Sequence, residues 1–230
     1  MTVYAKPRAA LMPTGDELCS PETPLRPGKI YDSNGPMLAA RMLRLGAEPT
    51  LLAAGPDDPA ALAGKLARLL AEYPLVITTG GVSVGDRDYL PQAAEEAGAK
   101  LLFYGIDAKP GTPALAAGKD GHVLLCLSGN PFASFATFEL LARPALAKLQ
   151  GADPAPVRVR AALANGFGKP SPLRRFVRAT LMGGVVTLPK GGHFSGGIGA
   201  LAGCNCLVEL PAGSGPVAPG EEVEVLNFVQ

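Results

Sequence analysis

The stretch that decides the fold is LVITTGGVSVGDRDYL, residues 75–90. Residues 75–78 are apolar or β-branched and run directly into a glycine-rich turn, which predicts a buried parallel strand followed by a tight βα loop. Glycines let the backbone approach an anion closely, and N–H groups at a following helix start point towards it. Thr79 and Ser83 add hydroxyls, and Asp88 and a nearby second aspartate add carboxylates. This mixture indicates a phosphorylated ligand with a cation, and the alternative is a tight turn with an aspartate cap.

Length and composition favour a globular protein of two domains. The chain has 230 residues, a formal charge of +1, and 47% apolar and 18% charged residues. With roughly 150 residues per domain, we expect a full domain over residues 1–150 and a smaller one over residues 151–230. The near-zero charge does not indicate binding to nucleic acid or to an anionic membrane. Apolar runs are shorter than the roughly 18 residues of a membrane span, and the N-terminus lacks a signal-peptide pattern, so we expect a cytoplasmic location.

The cysteine pattern argues against a metal site built from cysteine and histidine. Cys19, Cys126, Cys204 and Cys206 form no CxxC pair, and neither histidine completes a plausible ligand set. Reduced thiols are therefore expected. Cys126 lies within an apolar run, where cysteine behaves as a small core residue, and the last two cysteines are interpreted in the same way.

Polar loops also follow two earlier predicted strands. Strand 9–12 leads into the loop TGDEL at 14–18, and strand 48–53 leads into GPDDP at 55–59. In a doubly wound sheet, loops at the carboxyl ends of strands line one crevice. Between these loops, DSN at 32–34 precedes a predicted helix, and either its serine or its asparagine is expected to cap that helix. An aspartate cap followed by proline explains only one of the two aspartates in GPDDP.

Two later loops add candidate contacts to an anion. The segment KPGTP at 109–113 is held extended by its prolines, so Lys109 is expected to present a fixed positive charge. Strand 122–127 then leads into SGNP at 128–131, where Asn130 is the expected cap of a helix that begins with proline. A helix N-terminus that points into the crevice would hold an oxyanion, although the same arrangement is stable without a ligand.

The pattern changes after residue 150. Glycine and proline interrupt residues 151–156, and about five short strands follow without helical runs, which predicts a small β-barrel or sandwich. One strand carries Arg174, Arg175 and Arg178. This strand is interpreted either as a solvated face or as a contact to an anion.

The order of TGDEL, DSN, GPDDP, TTGGVSVGDRD, KPG, GNP and the β-rich tail resembles the MoeA, gephyrin and Cnx family, which inserts molybdenum during molybdenum cofactor synthesis. The resemblance covers nearly the whole chain. It implies a MogA-like doubly wound α/β domain that binds molybdopterin, followed by a C-terminal β-barrel. The first part is also similar to MogA and CinA, but the β-rich tail argues against MogA.

The sequence departs from the family pattern at several positions. Thr112 replaces the second lysine of KPGKP, and Gly105 stands where some relatives have a further lysine. Ser128 replaces the proline before GNP, and the leading arginine of RxxFxR is displaced by one residue. The local positive charge is therefore lower than in the family pattern.

The resemblance implies a set of site residues. Catalytic roles fall on Glu17, Asp57, Asp88 and Lys109, and the three carboxylates are the expected ligands of Mg²⁺. Ligand binding is implied for a larger set at the strand ends and in the tail: Thr14, Gly15, Asp32, Ser33, Asn34, Thr79, Gly80, Gly81, Ser83, Gly85, Pro113, Gly129, Asn130, Pro131, Ser134, Arg175 and Ser195.

Two functions remain open at this point. The resemblance implies an enzyme that binds adenylylated molybdopterin and molybdate with Mg²⁺ and releases AMP during metal insertion. The alternative is a binding or scaffold module that holds molybdopterin or the finished cofactor. The family places two further domains before the first strand, so we interpret the chain as a member that lacks them. A homodimer, or a partner chain that supplies these domains, is expected.

Overall fold

The structure is a computed structural model that describes residues 2–55, 58–82, 89–191 and 196–228. The predictions for Asp57, Ser83, Gly85, Asp88 and Ser195 lie outside the described residues.

The first part of the chain alternates strands and helices. The strands are β1 Arg8–Pro13, β2 Leu18–Cys19, β3 Ile30–Tyr31, β4 Glu48–Leu51, β5 Leu75–Thr79, β6 Lys100–Tyr104, β7 Ala108–Lys109, β8 Leu115–Lys119 and β9 His122–Leu127. The helices are α1 Asn34–Arg44, α2 Pro59–Glu72, α3 Leu90–Glu96, α4 Pro131–Thr137 and α5 Arg143–Leu149, with a π-helical segment Phe138–Ala142 between the last two. None of the described helices combines the length and apolar character needed to cross a membrane.

The larger sheet has the strand order β4-β1-β5-β9-β8-β6. Strands β4, β1, β5 and β9 are parallel, and β8 is antiparallel to both of its neighbours. The chain leaves β1 in one direction to reach β4 and returns past it to reach β5. The crevice of such a doubly wound sheet lies at the carboxyl ends of the two strands where the order reverses, here β1 and β5.

The predicted central strand is confirmed, because every residue of β5 is buried. Strand β8 was not predicted from the sequence. Its sequence, LAAGK, lacks the β-branched and aromatic residues that mark strands. Pairing with β9 and β6 on both sides forms this strand instead.

Helices cover both faces of the sheet. On one face, α1 and α4 pack through Leu38 and Phe132 against alternate strand residues such as Ile77. On the other face, α2 and α3 pack against the intervening residues, including Leu66 on Val76. Because side chains alternate along a strand, one buried strand serves both layers.

The helix caps differ in part from the predictions. Asp58 caps α2, and its Oδ1 accepts a hydrogen bond from Ala61 N at 2.8 Å. Ser33 occupies the cap position of α1, but its side chain makes no cap hydrogen bond. Asp32 Oδ1 instead accepts from Gly35 N at 3.0 Å. Asn130 likewise occupies the cap position of α4 without a side-chain cap bond, so its predicted capping role is wrong.

The helix after GNP continues to Leu149 through the π-helical segment. Pro144 explains this segment, because proline removes one hydrogen bond and its ring clashes with the carbonyl four residues earlier. Within the segment, Glu139 is buried. Its carboxylate oxygens form ion pairs with Arg41 Nε at 2.5 Å and with Arg143 Nη1 at 3.3 Å. This ion-pair group joins α1 to the long helix.

The tail forms a closed five-stranded barrel. Its strands are β10 Arg158–Leu163, β11 Arg174–Met182, β12 Val185–Thr187, β13 Cys206–Leu210 and β14 Glu222–Asn227, with a 3₁₀ turn at Ile198–Leu201. The order is β12-β10-β14-β13-β11, and pairing of β12 with β11 closes the ring. The sequence predicted either a barrel or a sandwich. Because the sheet closes on itself, the tail is a barrel.

Candidate active site

Three loops meet at the carboxyl edge of the sheet. Thr14 N and Thr14 Oγ1 both donate to Thr79 O, at 2.9 and 3.3 Å, which joins the loop after β1 to the end of β5. Gly80 N donates to Leu127 O at 2.9 Å, which joins the loop after β5 to the end of β9. These bonds bring TGDEL, TTGG and SGNP together, as the topology predicts.

Gly80 allows this close approach. Its φ is +89°, in the left-handed region, and a Cβ there would lie 2.6 Å from Thr14 O. A Cβ on Gly129 would lie 3.3 Å from Gly80 Cα. The glycines therefore serve the packing of the loops on one another in addition to any contact with a ligand.

The carboxylate of Glu17 folds back over its own loop. A Cβ on Gly15 would lie 2.5 Å from Glu17 Oε2 and 2.6 Å from Oε1, so this carboxylate position requires a glycine. Lys29 Nζ donates to Asp16 O, and Ile30 N donates to Glu17 O at 2.8 Å, which anchors the loop to β3. Glu17 itself is exposed at the edge of the crevice.

Asn34 connects two of the predicted site segments. It is 7% exposed, and its Nδ2 donates to Gly129 O at 2.8 Å. This bond ties the start of α1 to the loop before α4. The described geometry therefore gives Asn34 a role in holding the SGNP loop.

The barrel approaches the sheet through the KPG loop. Strand β7 pairs in parallel with β11, with Ala108 opposite Arg174 and Lys109 opposite Arg175. Residues paired in register on neighbouring strands project to the same side, about 4.8 Å apart. Lys109 and Arg175, two cationic residues, therefore stand side by side on neighbouring strands.

Both residues line a cleft of about 470 Å³ between the barrel and the sheet. The cleft is bounded by the KPG loop, the start of α4 and the first half of β11. Its lining residues are Lys109, Pro110, Gly111, Thr112, Pro113, Ser128, Asn130, Phe132, Ala133, Phe167, Leu173, Arg175, Phe176 and Val177. Two cationic side chains together with the polar residues Thr112, Ser128 and Asn130 suit a small oxyanion.

The three arginines of β11 have different environments. The strand is therefore neither a purely solvated face nor a surface on which all three arginines contact an anion. Arg174 is exposed and lies 3.4 Å from Glu209. Arg175 donates from Nε to Ser171 Oγ at 2.7 Å and lies 5.5 Å above the ring of Phe167. Arg178 is fully buried. Only Arg175 of the three lines the cleft.

Some buried hydroxyls of the predicted site have no hydrogen-bond partner within the described part of the chain. Thr79 Oγ1 and Ser134 Oγ belong to this group, and the two residues are 1% and 0% exposed. Buried hydroxyls without partners are costly. Thr79 stands at the end of β5, where the predicted phosphate loop begins.

The described carboxylates do not form a metal site by themselves. No group of three His, Cys, Asp or Glu side chains able to hold a metal is found in ranges 2–55, 58–82, 89–191 and 196–228. Of the three expected Mg²⁺ ligands, only Glu17 lies in these ranges. All four cysteines are free, and Cys126 is buried in the core as predicted.

Two known families match the chain in the order that the fold displays. Residues 10–148 match the family described as "Probable molybdopterin binding domain", and residues 160–228 match the "MoeA C-terminal region (domain IV)". The chain belongs to the MoeA family. The resemblance seen in the sequence motifs is therefore confirmed.

Curated MoeA-family relatives are longer than this chain. A molybdopterin molybdenumtransferase of Staphylococcus epidermidis is 39% identical over 228 residues, which is 97% of this chain and 54% of the relative. The enzyme of the same name from Staphylococcus aureus gives the same identity and coverage. The chain thus spans about half the length of the curated relatives it matches.

Solved MoeA structures share the fold. One structure of the molybdopterin biosynthesis MoeA protein of Pyrococcus horikoshii has a TM-score of 0.84 and 27% identity, covering 98% of this chain and 55% of that one. A molybdenum cofactor biosynthesis protein of Pyrococcus furiosus has a TM-score of 0.71 and 27% identity, covering 97% and 68% of the two chains. The predicted MogA-like domain with a β-barrel is confirmed.

Thr112 occupies the position of the second lysine in the family pattern and lines the cleft. Its Oγ1 donates to Ala108 O at 2.8 Å, so it closes the KPG turn without adding charge. We expect Thr112→Lys to raise the affinity for molybdate by about tenfold, because a third cation would face the same anion. Calorimetric titration with molybdate measures this. Thr112→Met is the control that loses the Ala108 bond without gaining charge, and equal affinities of the two variants would contradict the expectation.

Proposed function

We propose that this chain binds adenylylated molybdopterin and molybdate and supports molybdenum insertion with release of AMP. The observation that carries the proposal is the register pairing of Lys109 with Arg175 on the wall of the cleft. Two cationic residues on the wall of one cleft would hold molybdate beside a phosphate and reduce the repulsion between the two anions. The curated relatives named molybdopterin molybdenumtransferase support the reaction class.

The roles follow from the positions of the loops. Molybdate would lie beside Lys109 and Arg175, and the phosphates would lie near the glycines Gly80 and Gly129. Water would cleave the phosphoanhydride to give AMP and molybdopterin phosphate, and the two dithiolene thiols would bind molybdate while one of its oxygens leaves as water with the two thiol protons. Glu17 would act at the edge of the crevice, where its carboxylate is held over Gly15.

Magnesium remains part of the proposal. Glu17, Asp57 and Asp88 are the carboxylates that would hold it, and oxygen ligands with substrate phosphates suit this ion. When bound, it would neutralise charge on the phosphoanhydride. Asp57 and Asp88 lie outside the described residues, so no step of the reaction is assigned to the metal.

The test is a direct assay of the reaction. Purified chain is incubated with adenylylated molybdopterin, molybdate and Mg²⁺, and AMP is measured over time. We expect AMP to form only when molybdate is present. Tight binding of adenylylated molybdopterin without AMP formation would refute the enzyme and favour the second function.

The second function is a binding module that holds molybdopterin or the finished cofactor, or docks to a partner. Thr112 in place of a lysine favours it, because the cleft then holds fewer cations than the family pattern. Retention of Glu17 and Lys109 favours the enzyme.

The remaining expectations concern the location of the protein, its assembly and partners, and its division into domains. We propose a cytoplasmic protein that acts as a homodimer or with a partner chain, and that contacts neither nucleic acid nor membrane. We also propose the division into a molybdopterin-binding domain over residues 1–150 and a barrel domain over 151–230. Size measurement by light scattering at high micromolar concentration tests the assembly, and a strictly monomeric mass with no partner recovered would count against it.

A further inference from the structure

The last two residues of β5 place buried hydroxyls on opposite faces of the sheet. Neither Thr78 Oγ1 nor Thr79 Oγ1 has a hydrogen-bond partner in the described part of the chain. Val76 packs in the core under α2 and α3, whereas Ile77 packs in the core under α1 and α4. Because side chains alternate along a strand, Thr78 faces α2 and α3, and Thr79 faces α1 and α4.

Two further buried oxygens without a partner lie on the same face as Thr79. They are Asn34 Oδ1 in the first turn of α1 and Ser134 Oγ in α4, and the two residues are 7% and 0% exposed. Residues four apart share one face of a helix. Asn34 lies four residues before Leu38, and Ser134 lies four residues before Phe138. Both apolar residues belong to the core under α1 and α4, so the two polar side chains also point towards the sheet.

Contacts between the loops bring these side chains together at the carboxyl edge. Asn34 Nδ2 donates to Gly129 O at 2.8 Å. A Cβ on Gly129 would lie 3.3 Å from the Cα of Gly80, which directly follows Thr79. Ser134 lies in the first turns of α4, the helix that begins two residues after Gly129. The three unpaired oxygens therefore lie around the ends of the neighbouring strands β5 and β9, in one buried layer.

The three atoms could satisfy one another but do not. A hydroxyl both donates and accepts, and the amide oxygen of asparagine accepts. None of them lies within hydrogen-bond distance of another. Buried polar atoms that face one another beyond bonding distance are commonly bridged by water. A buried water typically makes about three hydrogen bonds to groups that are otherwise unpaired.

We propose that Asn34 Oδ1, Thr79 Oγ1 and Ser134 Oγ bind one ordered water molecule, which joins the end of β5 to the first turns of α1 and α4. The two hydroxyls donate to the water oxygen, and the water donates to the amide oxygen, so that all three atoms are satisfied. The water lies behind Gly80 and Gly129 and holds their loops together from the buried side. The proposal does not depend on the proposed function, because its tests need no ligand.

The first test uses the sign of a change in stability. Thr79→Val and Ser134→Ala each remove one hydroxyl with little change of shape. If the hydroxyls bind water, each variant loses a hydrogen bond, and we expect its melting temperature to fall by roughly 2–4 °C, the scale of one such bond in a chain of this length. If the hydroxyls are unpaired, each variant removes a costly buried group, and the melting temperature should stay the same or rise.

Thr78→Val is the matched control. It makes the same substitution at the adjacent residue, whose hydroxyl lies on the other face, where no second unpaired side-chain oxygen is found among the described residues. Its melting temperature should stay the same or rise. An equal fall in Thr78→Val and Thr79→Val would overturn the proposal, because the loss would then not depend on the shared site.

The double variant tests whether both hydroxyls bind the same water. Thr79→Val with Ser134→Ala should lower the melting temperature by less than the sum of the two single decreases, because both bonds go to one molecule. Additive decreases would contradict a shared water. The same measurements in sodium, potassium and choline chloride at equal ionic strength should agree. A dependence on Na⁺ or K⁺ that disappears in Thr79→Val would indicate a monovalent cation in place of water and overturn the assignment.

A direct observation completes the test and uses the wild-type chain alone. A high-resolution crystal structure should show a water within hydrogen-bond distance of Asn34 Oδ1, Thr79 Oγ1 and Ser134 Oγ. Density in which the three side chains bond directly to one another, or in which no water lies between them, would overturn the proposal. If a variant does not fold, this observation decides.

Discussion

Lys109→Met is expected to lower AMP release by roughly a hundredfold, the scale of losing one electrostatic group from an active site. Lys109 lines the cleft and stands in register with Arg175. The substitution would remove one of the two positive charges that the cleft offers to molybdate and phosphate. The affinity for molybdate should fall in parallel and should depend less on salt, because one charge contact has been lost.

Lys100→Met is the matched control. Lys100 is exposed at the start of β6, the opposite end of that strand from the KPG loop. It should change neither AMP release nor molybdate affinity. The double variant Lys109→Met with Arg175→Met should lose less than the product of the single losses, because both residues are assigned to one anion. Independent effects of the two substitutions would contradict the binding of one anion by both residues. If Lys109→Met keeps wild-type AMP release and molybdate affinity, the cleft is not the anion site.

The sequence was sufficient to predict which loops meet. In a parallel sheet, the loops at the carboxyl ends of adjacent strands must converge, so strand assignments at β1, β5 and β9 carry the prediction. The hydrogen bonds of Thr14 to Thr79 and of Gly80 to Leu127 agree with it. These strands could be predicted from the sequence because their residues are apolar or β-branched.

Features that depend on pairing between strands far apart in the sequence could not be predicted from it. Strand β8 is rich in alanine and forms because β6 and β9 flank it. The pairing of β7 with β11 joins residues more than sixty positions apart, and no local signal places Lys109 beside Arg175. The burial of Arg178 follows from which face of β11 meets α4, which depends on how the barrel sits on the sheet.

The predicted side-chain caps of α1 and α4 are absent for a related reason. Ser33 and Asn130 stand at cap positions and are typical cap residues. The N–H of Gly35 is instead satisfied by Asp32, and Asn34 is drawn to the carbonyl of Gly129 across the crevice. A contact with a neighbouring loop can thus replace a local preference.

Gly15→Ala is expected to lower AMP release by roughly a hundredfold, as Glu17→Gln should, on the scale of losing one electrostatic group. The added Cβ would lie 2.5 and 2.6 Å from the two carboxylate oxygens of Glu17, so the carboxylate must leave its position. The φ of +128° at Gly15 also strains any other residue. Molybdopterin affinity should change less than AMP release, because the phosphates are placed near Gly80 and Gly129.

Gly28→Ala separates strain from displacement. Gly28 lies in the same excursion with a φ of +78°, but a Cβ there meets nothing within 4 Å. It should share the backbone strain of Gly15→Ala and keep full AMP release. The double variant Gly15→Ala with Glu17→Gln should be no slower than either single variant, because both remove the same carboxylate from the same place. If Gly15→Ala keeps AMP release while Glu17→Gln loses it, the reaction does not use the carboxylate position seen over Gly15. If neither variant slows the reaction, Glu17 has no part in it.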